Sequence, residues 1–303
     1  MEKNGISAES KRAILFAAAA AVLYACSVPL SKMLLGGIPP ILMAGLFYFG
    51  AGVGAGSLLL LRGRGLRKQT LRSFERKDLP YIAGMILLDV LAPVLLFSGL
   101  QRTAAANASL LNNFEIVATA LIAMLLFQER VSKRLWIAIA LVTAASCLLT
   151  FEQDGGFQFS MGSVFVLLAA ACWGLENNCT RMLSGRNPLS IVAIKGIGSG
   201  SCALAIGLSL GQRASGISAA LLALIVGFFT FGLSIACYIR AQRTLGAAKT
   251  SAYYATAPFI GTVLSFLLLG ERPNPAFLAA LLLMGAGAYF ATFDRPEPAP
   301  SAE

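Results

Sequence analysis

The chain has 303 residues, of which 57% are hydrophobic and 13% charged, and its mean hydropathy is +0.75. A soluble domain of that length cannot bury so much apolar surface, so the composition excludes a soluble globular protein and predicts a polytopic membrane protein. The net charge of +10 is no mark of nucleic-acid binding, because the basic residues follow the sidedness of a membrane.

Apolar windows of about 20 residues predict helices over Ala13–Leu35, Ile41–Leu61, Leu79–Leu100, Ala104–Phe127 and Leu135–Phe151. A second group of five follows at Met161–Leu183, Leu189–Leu210, Ala219–Ile239, Thr250–Leu269 and Ala276–Phe293. At a rise of roughly 1.5 Å per residue each is long enough for roughly 30 Å of hydrocarbon. Leu/Ala richness without alternation selects helices over strands, giving an all-α class with ten transmembrane helices.

The first window carries Tyr24, Ser27, Val28 and Ser31 on one face, with a kink expected at Pro29. The second holds Gly50, Gly52, Gly54 and Gly56. Without a preceding strand this is no dinucleotide fingerprint, and its spacing suits close helix–helix approach in lipid. Asp89 lies in the third window. The fourth places Asn112, Glu115 and Thr119 on one face and ends at Glu129-Arg130. The sixth places Trp173, Glu176, Asn177 and Thr180 on one face. Lys195 falls in the seventh, with Gly196, Gly198 and Gly200 behind it, and the ninth ends at Glu271-Arg272.

A cytoplasmic N-terminus puts most of the basic residues on one side: Lys3, Lys11, Arg12, the run Arg62, Arg64, Arg67, Lys68, Arg72, Arg76 and Lys77, then Arg130, Lys133, Arg134, Arg181, Arg186, Arg240, Arg243, Lys249 and Arg295. Lys32, Arg102, Arg213 and Arg272 remain on the other. This bias predicts that both termini are cytoplasmic. Cys26, Cys147, Cys172, Cys179, Cys202 and Cys237 all fall within windows without a CxxC pair, and the chain has no histidine. The cysteines read as small packing residues, and neither a metal site nor a catalytic base beside a nucleophile is visible.

The two groups of five match each other. Tyr24…Lys32-Met33-Leu34 returns 149 residues later as Trp173…Arg181-Met182-Leu183. Gly50/Gly52/Gly54 returns after 146 as Gly196/Gly198/Gly200, and Leu-Leu-Phe-Gln-Glu129-Arg130 after 142 as Leu-Leu-Leu-Gly-Glu271-Arg272. An odd number of crossings turns the second copy upside down, so residues 1–151 and 152–303 are expected to form two inverted five-helix repeats around a central cavity.

At Glu129-Arg130 and Glu271-Arg272 the pattern resembles the drug/metabolite transporter superfamily in its ten-helix EamA-type branch. The resemblance covers roughly 12–293. Pro258 fits the family's proline position; its counterpart Ile116, and Gln128 in place of the usual glycine, depart from it. Within the branch the aromatic amino-acid exporters (YddG-like) are similar. The resemblance implies cofactor-free transport of small metabolites, often amino-acid export, across a bacterial inner membrane.

Charge inside hydrocarbon points to the site. Asp89, Glu115, Glu176 and Lys195 would each cost about 2.5–3.5 kcal/mol at a helix centre, so they are expected to face a cavity or each other. Pairing of Lys195 with a carboxylate and lining of a substrate path are both open. Tyr24, Tyr48, Asp89, Asn112, Glu115, Trp173, Glu176, Asn177 and Tyr254 are the candidate substrate-binding residues. Carboxylates and amides facing aromatic rings suit an amphipathic guest with an ammonium group. Tyr81, Trp136 and Tyr289 are expected in the interfacial belt. Glu129 and Glu271, next to arginines at helix ends, are expected in local ion pairs or turns. The expected partners are a small-molecule substrate and membrane lipid, with no nucleic acid.

Overall fold

The computed structural model describes residues 8–61, 74–128, 131–152, 158–183, 186–245, 250 and 253–292. Most of the basic run (62–72), Glu129-Arg130, Lys249, and the tails 1–7 and 293–303 lie outside the described residues.

The elements in order are α1 (Ala8–Ala25), α2 (Ser27–Leu34), α3 (Pro40–Leu61), a 3-10 turn (Arg76–Asp78), α4 (Leu79–Leu100), α5 (Ala105–Leu111), α6 (Phe114–Phe127) and α7 (Lys133–Thr150). They continue with β1 (Phe151–Glu152), β2 (Gln158–Phe159), α8 (Met161–Met182), α9 (Pro188–Ser209), α10 (Ile217–Gly227), a π-helical segment (Phe228–Leu233), α11 (Ser234–Leu245), α12 (Ala257–Leu269) and α13 (Pro275–Thr292). The two strands pair antiparallel through Phe151–Phe159 and Glu152–Gln158. This small ribbon was not expected in a helical chain.

Among the described residues, eight helical stretches are long and apolar enough to cross a membrane: Glu9–Leu34, Pro40–Leu61, Arg76–Leu100, Ala105–Leu126, Lys133–Thr150, Leu189–Ser209, Ile217–Leu245 and Pro275–Thr292. At the other two expected spans stand α8, whose C-terminal half carries Glu176, Asn177, Asn178 and Arg181, and the 13-residue apolar α12.

The breaks have local causes. Pro29 has no N–H for the carbonyl of Ala25, four residues back, and the helix turns at Cys26 between α1 and α2. Asn112 and Asn113 interrupt the fourth span, where the Leu110 carbonyl accepts both the backbone N–H of Asn113, three residues on, at 3.0 Å and the Asn113 side chain at 3.2 Å. Both α6 and α12 end in a left-handed residue, Gln128 (φ 53°) and Gly270 (φ 66°). Glycine adopts that conformation freely and glutamine does not.

Small residues set the closest packing. The backbones of α3 and α9 meet at Gly52 and Gly196, where a Cβ on Gly196 would lie 2.5 Å from the Gly52 Cα. Only a pair without side chains permits this approach, which in lipid gains dispersion contact. The main buried cluster, including Ile38, Met43, Phe47, Phe97, Leu100, Leu110 and Leu111, supplies the rest of the interior. Trp136 and Tyr289 lie exposed on the outside of the bundle, and all six cysteines are free.

The two ends of the bundle differ. At one end, the Lys32 ammonium donates to the carbonyls of Leu100 and Thr103 (2.6 Å to the latter). Glu271 Oε1 and Oε2 accept from the backbone amides of Ala105 and Ala106 at 2.7 and 2.8 Å. There too Ser215 N–H donates to Gly37 O (2.8 Å) and Leu42 N–H to Gln212 Oε1 (3.1 Å). The turn between α4 and α5 is thus clamped from α2 and from the α12–α13 connection. At the other end, Arg186 bridges Asp78 at 2.7 Å and Glu75 at 3.1 Å, tying the 3-10 turn to the start of α9.

Candidate functional site

A cavity of about 740 Å³ lies in the bundle, within the usual range for small-molecule sites. It starts among Tyr24, Tyr48 and Asn112 at mid-bundle. It runs to Thr180, Ile191, Gln242 and Thr292, close to the ends of α8, α11 and α13 and the start of α9. The described residues of the clamped end do not line it.

Each wall is set by local structure. The Asn112–Asn113 break turns Asn112, Asn113, Glu115 and Ile116 of the fourth span toward the cavity. Across from them, α8 comes close to α6 because Gly174 has no side chain: a Cβ there would lie 2.5 Å from the Cβ of Ala118. That approach lets Asn177 Nδ2 donate to Glu115 Oε1 at 2.6 Å and to Thr119 Oγ1 at 3.3 Å. Asn178 Nδ2 donates to the carbonyls of Thr119 (3.2 Å) and Gly174 (2.8 Å).

The charges form a linked group. Lys195 Nζ lies 3.1 Å from Asp89 Oδ2 and 3.1 Å from Glu176 Oε1. Tyr48 donates to Asp89 Oδ1 at 2.9 Å, Trp173 Nε1 donates to Tyr48 Oη at 3.3 Å, and Thr180 donates to Glu176 Oε1. Asp89 is 1% exposed and Glu176 3%. Partners for buried charges offset much of the cost of removing them from water.

Rings make up the rest of the wall. Tyr24 lies against Tyr254 (centroids 5.2 Å apart) and edge-on to Phe231 (5.7 Å). Tyr48 lies 5.6 Å from Phe231, and Tyr238 meets Tyr254 edge-on at 5.2 Å. Such distances are typical of favourable aromatic pairs.

Of the residues singled out in the sequence, Tyr24, Tyr48, Asn112, Glu115, Trp173, Glu176, Asn177 and Tyr254 all line this cavity. Asp89 does not; it sits behind the wall, held by Tyr48 and Lys195. Lys195 joins two carboxylates, as the pairing reading expected, and also lines the cavity. The sequence reading missed Asn113, Phe231, Tyr238 and Gln242. Phe231, Ile235, Tyr238, Ile239 and Gln242 recur at offsets 0, 4, 7, 8 and 11, a one-face helical pattern that was there to be read. Glu271 binds the backbone of a distant helix rather than acting within its own turn.

Comparison with known proteins adds an independent line. The EamA-like transporter family matches residues 11–151 and again residues 160–293. An uncharacterized transporter of Methanothermobacter thermautotrophicus is 27% identical over 273 residues, 83% of this chain and 78% of that protein. The uncharacterized transporter YyaM of Bacillus subtilis is 22% identical over 232 residues, 72% of this chain and 73% of its own. A crystal structure described only as that of a protein superposes with a TM-score of 0.64 at 20% identity, covering 93% of this chain and 96% of the other; that likeness concerns the fold.

Proposed function

The chain belongs to the EamA-like transporter family, and from that premise we propose that it carries small amphipathic metabolites with an ammonium group across a bacterial inner membrane by alternating access. Amino acids, aromatic ones included, and their amine derivatives form the class. Transport rather than an enzymatic reaction is what the family does.

The observation that carries this reading is the cavity itself. It lies inside an apolar helical bundle, reaches one end, and combines a carboxylate–amide pair with aromatic rings. The clamp around Lys32 and Glu271 closes the other end. A site reached from one end at a time is what alternating access requires.

Ten spans in two inverted repeats, residues 1–151 and 152–303, remain our reading of the architecture. The family matches the chain twice, once per half. The left-handed caps at Gln128 and Gly270 stand 142 residues apart, the offset at which the sequences of those spans coincide. The Asn112–Asn113 break has its counterpart at the turn Ala255–Thr256 before α12. In this scheme α8 and the stretch leading into α12 supply the sixth and ninth crossings. With cytoplasmic termini, as the basic residues suggest, the cavity reaches the cytoplasmic end, the loading state of an exporter.

Counterflow in proteoliposomes tests the proposal. Vesicles preloaded with unlabelled phenylalanine should transiently accumulate labelled phenylalanine above empty-vesicle controls, with saturable rates. Flux equal to the controls for all amino acids and their amines sinks the assignment, and flux that never saturates replaces a carrier with a channel.

A further inference from the structure

Resting on the ammonium-guest reading, we propose that the cavity selects by net charge: it takes organic amines without a carboxylate in preference to the zwitterionic amino acids of the same side chain. Glu115 and the side-chain oxygen of Asn112 are the acceptors for the ammonium group.

Among the described residues lining the cavity, Lys195 is the one cation, and it is shared by Asp89 and Glu176. Several of the side-chain donors nearby are committed as well. Asn177 gives to Glu115 and Thr119, Asn113 to Leu110, and Trp173 to Tyr48. A guest carboxylate would have to draw Lys195 from one of its two carboxylates and leave that buried charge unpaired, or enter without a cation. Both are costly in a low-dielectric site.

The acceptors stand differently. Asn112 is 9% exposed, lines the cavity, and its Oδ1 has no hydrogen-bond partner among the described residues. Glu115 meets the neutral amide of Asn177 and no cation within ion-pair distance among the described residues. An unpaired buried acceptor and a carboxylate without a countercharge are both relieved by one donor-rich positive group. The rings of Tyr24, Tyr254 and Phe231 add faces that attract a cation and cover an apolar body, and they offer nothing comparable to an anion.

Three probes sharing one aromatic body separate the possibilities: phenethylamine (cation), phenylalanine (zwitterion) and N-acetylphenylalanine (anion). Their binding is measured by titration calorimetry on the full-length detergent-purified protein. The expected order is phenethylamine tighter than phenylalanine by about tenfold, with N-acetylphenylalanine not bound. In Glu115→Gln the advantage of the amine over phenylalanine should collapse; Asn112→Ala should weaken both ammonium compounds together. Phenylalanine binding as tightly as phenethylamine overturns charge selection and leaves the ammonium reading standing; N-acetylphenylalanine, which has no ammonium group, binding as tightly as phenylalanine overturns both. No binding by any of the three overturns the ammonium reading itself.

Discussion

Glu271 caps a helix far from it in sequence: its Oε1 lies 2.7 Å from the amide nitrogen of Ala105, while Oε2 takes the neighbouring amide of Ala106 at 2.8 Å. The first amides of a helix have no partner within it, and a carboxylate meets both their hydrogen-bonding need and the positive end of the backbone dipoles. In Glu271→Gln an NH2 group replaces one oxygen and confronts a backbone N–H. Loss of about 1–3 kcal/mol of unfolding free energy is expected, read by denaturant unfolding in detergent. An unchanged midpoint would show that the cap contributes nothing to the closed end.

The triad of Lys195 with Asp89 and Glu176 makes an ordering prediction. Lys195→Met strands two buried carboxylates, whereas Asp89→Asn or Glu176→Gln leaves the ammonium one charged partner. Lys195→Met should therefore be the most destabilising of the three, by about 3–5 kcal/mol. The reverse order in a thermal-unfolding series would contradict the pairing described.

Gly196 and Gly56 should respond with opposite signs. A methyl group at Gly196 would meet the Gly52 backbone at 2.5 Å, while around Gly56 nothing lies within 4 Å. Gly196→Ala should cost about 1–3 kcal/mol through overpacking. Gly56→Ala should gain about 0.5–1 kcal/mol because alanine loses less backbone freedom in a helix. Unfolding midpoints of the two single variants check this.

Gln128 occupies a left-handed position that glycine fills at the corresponding cap, Gly270. Gln128→Gly should stabilise the protein by about 1 kcal/mol and Gly270→Ala should destabilise it by about as much. Equal midpoints for both variants and the parent would remove the strain argument.

Much of this was written locally in the chain. The bounds of the Leu79–Leu100 helix follow from its apolar run, and the face of Trp173, Glu176, Asn177 and Thr180 follows from helical spacing; all four line the cavity. What escaped was non-local or off-phase. No spacing rule places the Glu271 carboxylate on amides 165 and 166 residues earlier. Asp89 stands on α4, which contributes no described residue to the cavity wall, and its place behind Tyr48 is set by packing between helices. At the stop, Asn113 brings both its backbone N–H and its side chain to the Leu110 carbonyl, a local detail that a hydropathy window averages away.

The π-helical segment Phe228–Leu233 sets the rotational phase of everything after it. Its wider turn accommodates a surplus residue relative to regular α geometry. Tightening it at constant length would swing Ser234–Leu245 by roughly 100° about its axis, carrying Tyr238 away from Tyr254 and Gln242 out of the mouth. Shortening the segment by one residue instead would let it close as an ordinary turn with both side chains still in place. The make-up of the mouth is therefore governed by residue number in six positions that contribute a single ring, Phe231, to the cavity wall.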